Sequence, residues 1–368
     1  MAEAPGALAR PPRPAARSAG LDVMAWPAFK SENPYNVRLA EEMAALGVRV
    51  REFSPRELLL RPPGVFHAHW PDIALNSAGA VRGTVRAAGL LAITAAARLR
   101  GTRVVWTVHN LQSHERRHPR LERLFWRLLL PMLSGFIALT EGGRAAALAR
   151  FPVLRRRRGF VVPNGDYTGV YPDTVSALEA RRALGLPAEA PVIGFLGQLR
   201  PYKNVPHLIR TFQRLPATDA RLVIAGRPNS PATRHDVVDA ARGDPRITLA
   251  LEHVPDDRIQ VYLRACDLVV LPFADVLNSG SALLALAFGR PVLVPRLGAM
   301  GELQQLAGDD WVRTYAEALT AVELSQALSW ASETPRSRCT ALDQLAWDLI
   351  AARTVDAYRA LEPRQERA

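Results

Sequence analysis

Phe195-Leu196-Gly197-Gln198-Leu199-Arg200-Pro201-Tyr202-Lys203-Asn204 is the stretch on which the fold turns. It reads as the end of a buried strand beginning at Val192, then a turn carrying two cations. A second stretch answers it: Pro272-Phe273-Ala274-Asp275-Val276-Leu277-Asn278-Ser279-Gly280-Ser281, where small residues open an apolar helix from Ala282 to Phe288. A helix start presents unpaired N–H groups and a partial positive charge, so it attracts anions. Cations at a strand end and a helix start within one βαβ segment together suit a diphosphate. Lysine occurs only at Lys30 and Lys203, which leaves 45 of the 47 basic residues as arginine. In so arginine-biased a chain, a lysine at a loop tip reads as a compact point charge.

The same alternation recurs outward from these stretches. Val192 to Leu196, Arg221 to Ala225, Ile247 to Leu251, Leu268 to Leu271 and Pro291 to Val294 read as strands. Val205 to Leu215, Thr233 to Arg242, Asp257 to Ala265 and Ser281 to Phe288 read as the helices between them. Upstream, Leu21 to Trp26, Val48 to Phe53, Val65 to Trp70, Arg103 to His109 and Gly135 to Thr140 read as strands. Helices are expected from an Asn36 cap to Leu46, over Gly79 to Arg100 and over Pro119 to Leu133, and the tail from Leu319 to Leu361 reads as helical. Alternating strands and helices imply an α/β protein of two Rossmann-like, doubly wound domains facing a cleft, with ligands at the C-terminal strand ends. The expected boundaries are a disordered tail over 1–20, a first domain over 21–170, a linker over 171–190 and a second domain over 191–339. A C-terminal helix, about 340–361, is expected to pack back on the first domain.

A chain of 368 residues with 48% apolar and 22% charged residues is an ordinary soluble, two-domain composition. The net charge of +12 and a pI near 10.6 call for phosphate-bearing ligands, an anionic lipid surface or nucleic acid. A GC-rich gene would also inflate arginine without functional meaning. Aromatic content of 7% and the lack of helix-turn-helix, zinc or RNA-recognition signatures argue against nucleic acid. Cys266 and Cys339 make no disulfide framework, and Cys266 reads as a small packed hydrophobe. No apolar run is long enough to span a bilayer, and the first twenty residues lack a secretory core. The expected location is the cytoplasm, extending to the inner face of the plasma membrane.

Four segments in order resemble the group 1 glycosyltransferases of the GT-B fold: Gly194-Phe195-Leu196-Gly197 with Lys203, Leu222-Val223-Ile224-Ala225-Gly226, Cys266-Asp267-Leu268-Val269-Val270-Leu271-Pro272, and Ala287-Phe288-Gly289-Arg290-Pro291-Val292. Val162-Pro163-Asn164-Gly165 matches that family's interdomain turn. The resemblance implies a nucleoside diphosphate sugar as donor, held in the second domain. Arg200 and Lys203 would neutralise the leaving diphosphate, and Asn278, Ser279, Gly280 and Ser281 would hold its oxygens at the helix start. The competing readings are plain: Ser279 as a helix cap only, and Arg200 as a solvated surface charge. The chain departs from the pattern where the family carries two glutamates eight residues apart, one near the donor sugar and one near the ribose. Those places fall on Val276 and Leu284, and Asp275 or Asn278 would substitute. The family's glycine-rich first loop is replaced by Phe29 to Asn36, with Tyr35 and Asn36 as contacts.

Glycosyl transfer also requires an acceptor hydroxyl to lose a proton. His67-Ala68-His69-Trp70-Pro71-Asp72 closes the third strand and His109-Asn110-Leu111-Gln112-Ser113-His114-Glu115 follows the fourth. His109 is placed where relatives put a histidine against the donor sugar, while Asp72 and Glu115 are the candidate bases. One of His67 and His69, which share a face, would be core. No metal-ligand spacing and no Asp-x-Asp motif occurs, so neither a metal nor any other cofactor is expected. The run Arg116-Arg117-His118-Pro119-Arg120-Leu121-Glu122-Arg123-Leu124-Phe125-Trp126-Arg127 reads either as a helix lying on an anionic membrane, beside a lipid-linked acceptor, or as a core helix with a basic outer face. The Arg155 to Arg158 run would extend that patch or be a solvated turn. The leading expectation is transfer of a sugar, GDP-mannose or a UDP-sugar being the donor, to a glycan or lipid-linked acceptor in bacterial exopolysaccharide synthesis. A nucleotide-sugar epimerase of the same fold and a non-catalytic partner subunit are the alternatives.

Overall fold

The computed structural model describes residues 20–31, 33–75, 79–112, 118–215, 219–334 and 336–362. The first half holds six parallel strands: β1 (Asp22–Trp26), β2 (Arg49–Glu52), β3 (Val65–Ala68), β4 (Arg103–Val108), β5 (Gly135–Ala138) and β6 (Arg158–Val161), in the order β2-β1-β3-β4-β5-β6. Between them run α1 (Pro34–Ala45), α2 (Pro55–Leu60), α3 (Ala80–Leu99), α4 (Pro119–Leu129) and α5 (Glu141–Arg150). The second half opens with α6 (Ala177–Ala183). It continues through β7 (Val192–Leu196), α7 (Val205–Gln213), β8 (Arg221–Ala225), α8 (Pro231–Ala241), β9 (Ile247–Ala250) and α9 (Ile259–Ala265). Then come β10 (Leu268–Val270), α10 (Gly280–Ala287), β11 (Val292–Pro295), α11 (Met300–Ala307), β12 (Val312–Tyr315) and α12 (Ala321–Glu333). These six strands are also parallel, ordered β12-β11-β10-β7-β8-β9.

Central strands are largely apolar because helices cover both faces, and all five residues of β7 are buried. Three of the four edge strands, β2, β6 and β12, carry charge where they face water. β6 reads Arg-Gly-Phe-Val and β12 reads Val-Arg-Thr-Tyr, which is why neither is evident as a strand from hydropathy. The expected Asn36 cap is displaced. Asn33 caps α1, its carboxamide accepting from the Tyr35 N–H at 3.1 Å, and Asn36 is buried in the first turn. The tail is not one helix: α12 ends at Glu333, a short 3-10 turn covers Thr340–Leu345, and α13 (Trp347–Ala360) follows.

The segment 171–190 is folded onto the second half rather than strung between halves. Ala180 and Leu186 sit in the second core, and the Arg181 guanidinium makes two bonds of 2.8 Å to the Asp267 carboxylate, which also accepts from the Val192 N–H. Cys266 is buried as a small apolar group, and its sulfur fills the space that a side chain at Gly194 would need. In the Arg155 to Arg158 run, Arg157 donates to the Pro131 carbonyl and Arg158 to the Ala360 carbonyl.

α13 leaves the second half and packs on the first. Trp347, Ile350, Val355 and Tyr358 join Tyr35, Leu39, Met43 and Val105 in one cluster. Its deepest contact is polar: the Tyr358 hydroxyl lies 2.5 Å from His67 Nδ1, and His67 Nε2 lies 2.7 Å from Thr107 Oγ1. A neutral imidazole donates through one nitrogen and accepts through the other, so both ring atoms are satisfied. Tyr358→Phe keeps the packing and orphans a buried ring nitrogen, so urea unfolding should show a loss of about 1–3 kcal/mol. An unchanged midpoint would mean that α13 is held by its apolar face alone.

Candidate functional site

The C-terminal ends of both sheets point into the space between the halves. On the first half, β3 and β4 are neighbours, with His67 opposite Val105, and the His67 and His69 rings reach Thr107 and His109 two residues further along. His69 Nδ1 lies 3.2 Å from His109 Nε2, and the Trp70 ring stacks on His109 at 4.2 Å between centroids. Tyr35 is buried with its ring edge against both His69 and His109, so it packs the histidines instead of reaching a ligand. Burial pulls His67 and His109 down to about 3, and His69 well below the ordinary imidazole range with its two histidine neighbours adding to the effect. All three are neutral at physiological pH. His67 and His69 are both core residues, whereas His109 is half-buried.

On the second half, the turn after β7 brings three groups together. Gly197 has φ +142°, and a Cβ there would lie 2.9 Å from Ser281 Oγ and 3.7 Å from Lys203 Nζ. The strand end is this bare because Gly226, after β8, also has φ +142°, and any side chain on it would strike the Gly197 carbonyl. Lys203 is a half-buried residue whose ammonium is enclosed by aromatic rings: Phe273 at 4.8 Å, Phe195 and Tyr202 at 6.0 Å. Burial lowers its pKa to about 8, with the Arg200 charge adding to the shift. No described carboxylate pairs with it. Arg200 is half-buried and donates from Nε to Gln198 Oε1 at 3.1 Å.

Ser279 does serve as the cap of α10, its hydroxyl oxygen accepting from the Ala282 N–H at 3.2 Å. Ser281 is the hydroxyl turned toward Gly197 and Lys203. Gly280 is closely covered, since a Cβ there would meet the Tyr167 hydroxyl at 2.9 Å. Asn278 reaches across to the first half, its Nδ2 3.5 Å from the His109 carbonyl.

Two of the cavities that border this loop also reach the turn after β7. The larger, about 490 Å³, includes Asn110, Gln112, Arg200, Tyr202, Asp275, Val276 and Asn278 in its walls. The other, about 360 Å³, is walled by Gly197, Gln198, Arg227, His253, Ser281 and Leu284 among others. Val276 and Leu284, the two positions where carboxylates were expected, therefore fall one in each cavity, and Asp275 and Asn278 share the cavity of Val276. Asp72 is in neither lining. It sits in the turn after β3, where burial and the Glu122 charge push its carboxyl up to about 6. Glu115 lies outside the described residues. Among the described residues, no group of three His, Cys, Asp or Glu side chains could hold a metal ion.

Sequence reasoning did not single out Tyr167 or Glu302. Glu302, on α11, accepts from the Gly142 N–H at 2.7 Å and the Glu141 N–H at 3.0 Å, so a carboxylate of the second half caps the start of α5 in the first. Nothing local in the sequence marks a cap whose partner is 160 residues away.

A family model described as Glycosyl transferases group 1 matches residues 190–329. The GDP-mannose:glycolipid 4-beta-D-mannosyltransferase of Xanthomonas campestris pv. campestris is 31% identical over 318 residues, covering 86% of this chain and 85% of that protein. The D-inositol 3-phosphate glycosyltransferase of Corynebacterium urealyticum is 27% identical over 270 residues, covering 68% of this chain and 62% of that protein. Among solved structures, sucrose-phosphate synthase from Thermosynechococcus elongatus superposes with a TM-score of 0.68 at 16% identity, covering 93% of this chain and 99% of that one. Anabaena HepE, in complex with UDP and glucose, gives 0.68 at 15% identity, covering 92% and 100%. These two likenesses speak for the fold.

An uncompensated ammonium next to a helix start should bind a diphosphate and gain nothing without one. A nucleoside diphosphate at a hundred times its Kd should raise stability by about 2.7 kcal/mol. Lys203→Ala should abolish most of that gain in a thermal-shift assay while leaving the ligand-free melting point nearly unchanged. An equal gain in the variant would refute the role given to Lys203.

Proposed function

Because the chain belongs to the group 1 glycosyltransferases of the GT-B fold, and so is a transferase that uses a nucleotide sugar, we propose that it moves mannose from GDP-mannose to a glycan or lipid-linked acceptor in bacterial exopolysaccharide synthesis. The observation that carries the donor site is the convergence of Lys203, Gly197 and Ser281. The choice of GDP-mannose is supported by the donor in the name of the Xanthomonas relative.

The diphosphate would lie between the Lys203 ammonium and the start of α10, with Arg200 alongside. As the glycosidic bond breaks, negative charge collects on the β-phosphate. Lys203, the first amides of α10 and the Ser281 hydroxyl stabilise it where it forms. Lys203 and Arg200 supply the positive charge in this scheme, so EDTA should leave turnover unchanged. The nucleoside would occupy the cavity of Gly197 and Leu284, and the sugar the cavity of Val276, where Asp275 and Asn278 take over hydrogen bonding from the family's carboxylate. His109, neutral, contributes a hydrogen bond and not a proton relay.

Asp72, with a pKa near 6, is ionised at neutral pH and basic enough to take the acceptor's proton. It would reach the acceptor from the α4 side, and Glu115 is the second carboxylate for the same task. The membrane-facing reading of α4 is supported by Leu124 and Leu128, 52% and 45% exposed beside Arg120. No described helix is long and apolar enough to cross a membrane.

The test is turnover with purified protein and a lipid extract. GDP-mannose should be consumed at least tenfold faster than UDP-glucose, with a mannosylated product. Asp72→Asn should cut kcat by about 10²–10⁴ with the donor KM unchanged. A preference for UDP-glucose would overturn the donor assignment, and a loss seen only in Glu115→Gln would move the base.

A further inference from the structure

A groove on the first half takes no part in gripping the diphosphate. It lies between α4 and the end of α5 and has a volume of about 380 Å³. Glu122, Arg123, Trp126 and Arg127 form its α4 wall, repeating at three and four residues along one stripe, and Arg150 faces them. Gln112 lines both this groove and the larger cleft cavity, so the two spaces meet at that residue.

Two features of the groove suit an oxyanion. Arg123, Arg127 and Arg150 are exposed and form no ion pair with any described residue, and Arg150 stacks at 5.0 Å over Phe151. Three guanidiniums stand against the single carboxylate of Glu122. Trp126 is 5% exposed, yet its indole N–H is buried and has no hydrogen-bond partner. An indole nitrogen can only donate, and an unmade bond of that kind is costly enough that such groups are nearly always paired. Guanidinium forks and an N–H donor without a partner, on the walls of one groove, are the chemistry that recognises a carboxylate or phosphate.

We propose that this groove is an oxyanion subsite for an acidic group on the acceptor, a phosphate ester or a sugar carboxylate, so that the enzyme selects an anionic acceptor over a neutral glycan. The inference rests on the transferase reading, because it is the shared Gln112 wall that places an acceptor here. The outward Leu124 and Leu128 do not line the groove, which separates it from the membrane-facing band.

The experiment is a titration of protein carrying ¹⁵N-indole tryptophan, with GDP saturating the donor site. Trp126 is assigned by Trp126→Phe. Inorganic phosphate, methyl glucuronoside and the neutral methyl glucoside are added separately. A saturable movement of the Trp126 signal with an oxyanion, and none with the neutral sugar, is expected. Phosphate alone would identify a phosphoryl group, and the glucuronoside alone a carboxylate. The exposed pair Arg123→Gln and Arg150→Gln, combined, should weaken that binding at least tenfold with GDP affinity held within twofold. The proposal is overturned if GDP binds but neither anion moves the signal, if the double variant binds as well as the parent, or if only anionic vesicles move it. Should GDP fail to bind, the donor reading falls, and the anion titration still decides the groove.

Discussion

Lys203 holds a positive charge among aromatic rings with no described carboxylate to answer it, and much of the second half is arranged around that charge. Removing an ammonium from water is expensive, and ring faces offset only part of the cost. The cation is delivered there by the Pro201–Lys203 turn, which ends at Asn204 in the left-handed region with φ 54° before α7 starts. Gly197 and Gly226 keep the adjacent strand ends bare, and Ser281 supplies a hydroxyl from the opposite side. What is left between them is a place for an anion, and a diphosphate brings the charge that the protein itself withholds.

The second constraint is that two parallel sheets must present their C-terminal ends to one another. Among the described residues, several links do this. α13 crosses back and buries Trp347 and Tyr358 in the first half. Asn278 reaches the His109 carbonyl, and Glu302 caps α5. Asn278 and Glu302 both come from segments that border the site, so the grip on the donor and the closure of the cleft share residues. With Val276 and Leu284 in place of carboxylates, recognition of sugar and ribose shifts to neighbouring polar groups, and the charge in the cleft is more positive than two extra glutamates would leave it.

The central strands, the β7 turn and the entrance of α10 were legible because full burial leaves continuous apolar runs and because small residues at strand ends have few other uses. Edge strands β6 and β12 were not, since Arg158 and Arg313 break the apolar signal just where the sheet meets water. Helices α2 and α11 are short, and α5, which buries only Gly143 and Ala147, offers almost no apolar stripe. Within the site, pairing of His67 with Tyr358 and of Glu302 with α5 joins residues far apart in the chain, and spacing carries no trace of either. The sequence favoured Asp72 for its place at a strand end, and the structure puts it in a 3-10 turn after β3, buried enough to feel the Glu122 charge. The arginine groove was visible only as a charge run, and the orphaned Trp126 N–H needed coordinates.

Lys30 and Lys203 are the only lysines, so a chain grown with ¹³Cε-lysine gives two side-chain signals. Following them against pH measures the buried ammonium directly. The account predicts that Lys203 titrates near pH 8 in the free protein. Saturating GDP should move that midpoint upward by at least about one unit, because each tenfold preference of the anion for the charged lysine is worth one. A free-protein midpoint above pH 10, or one that nucleotide leaves in place, would contradict it.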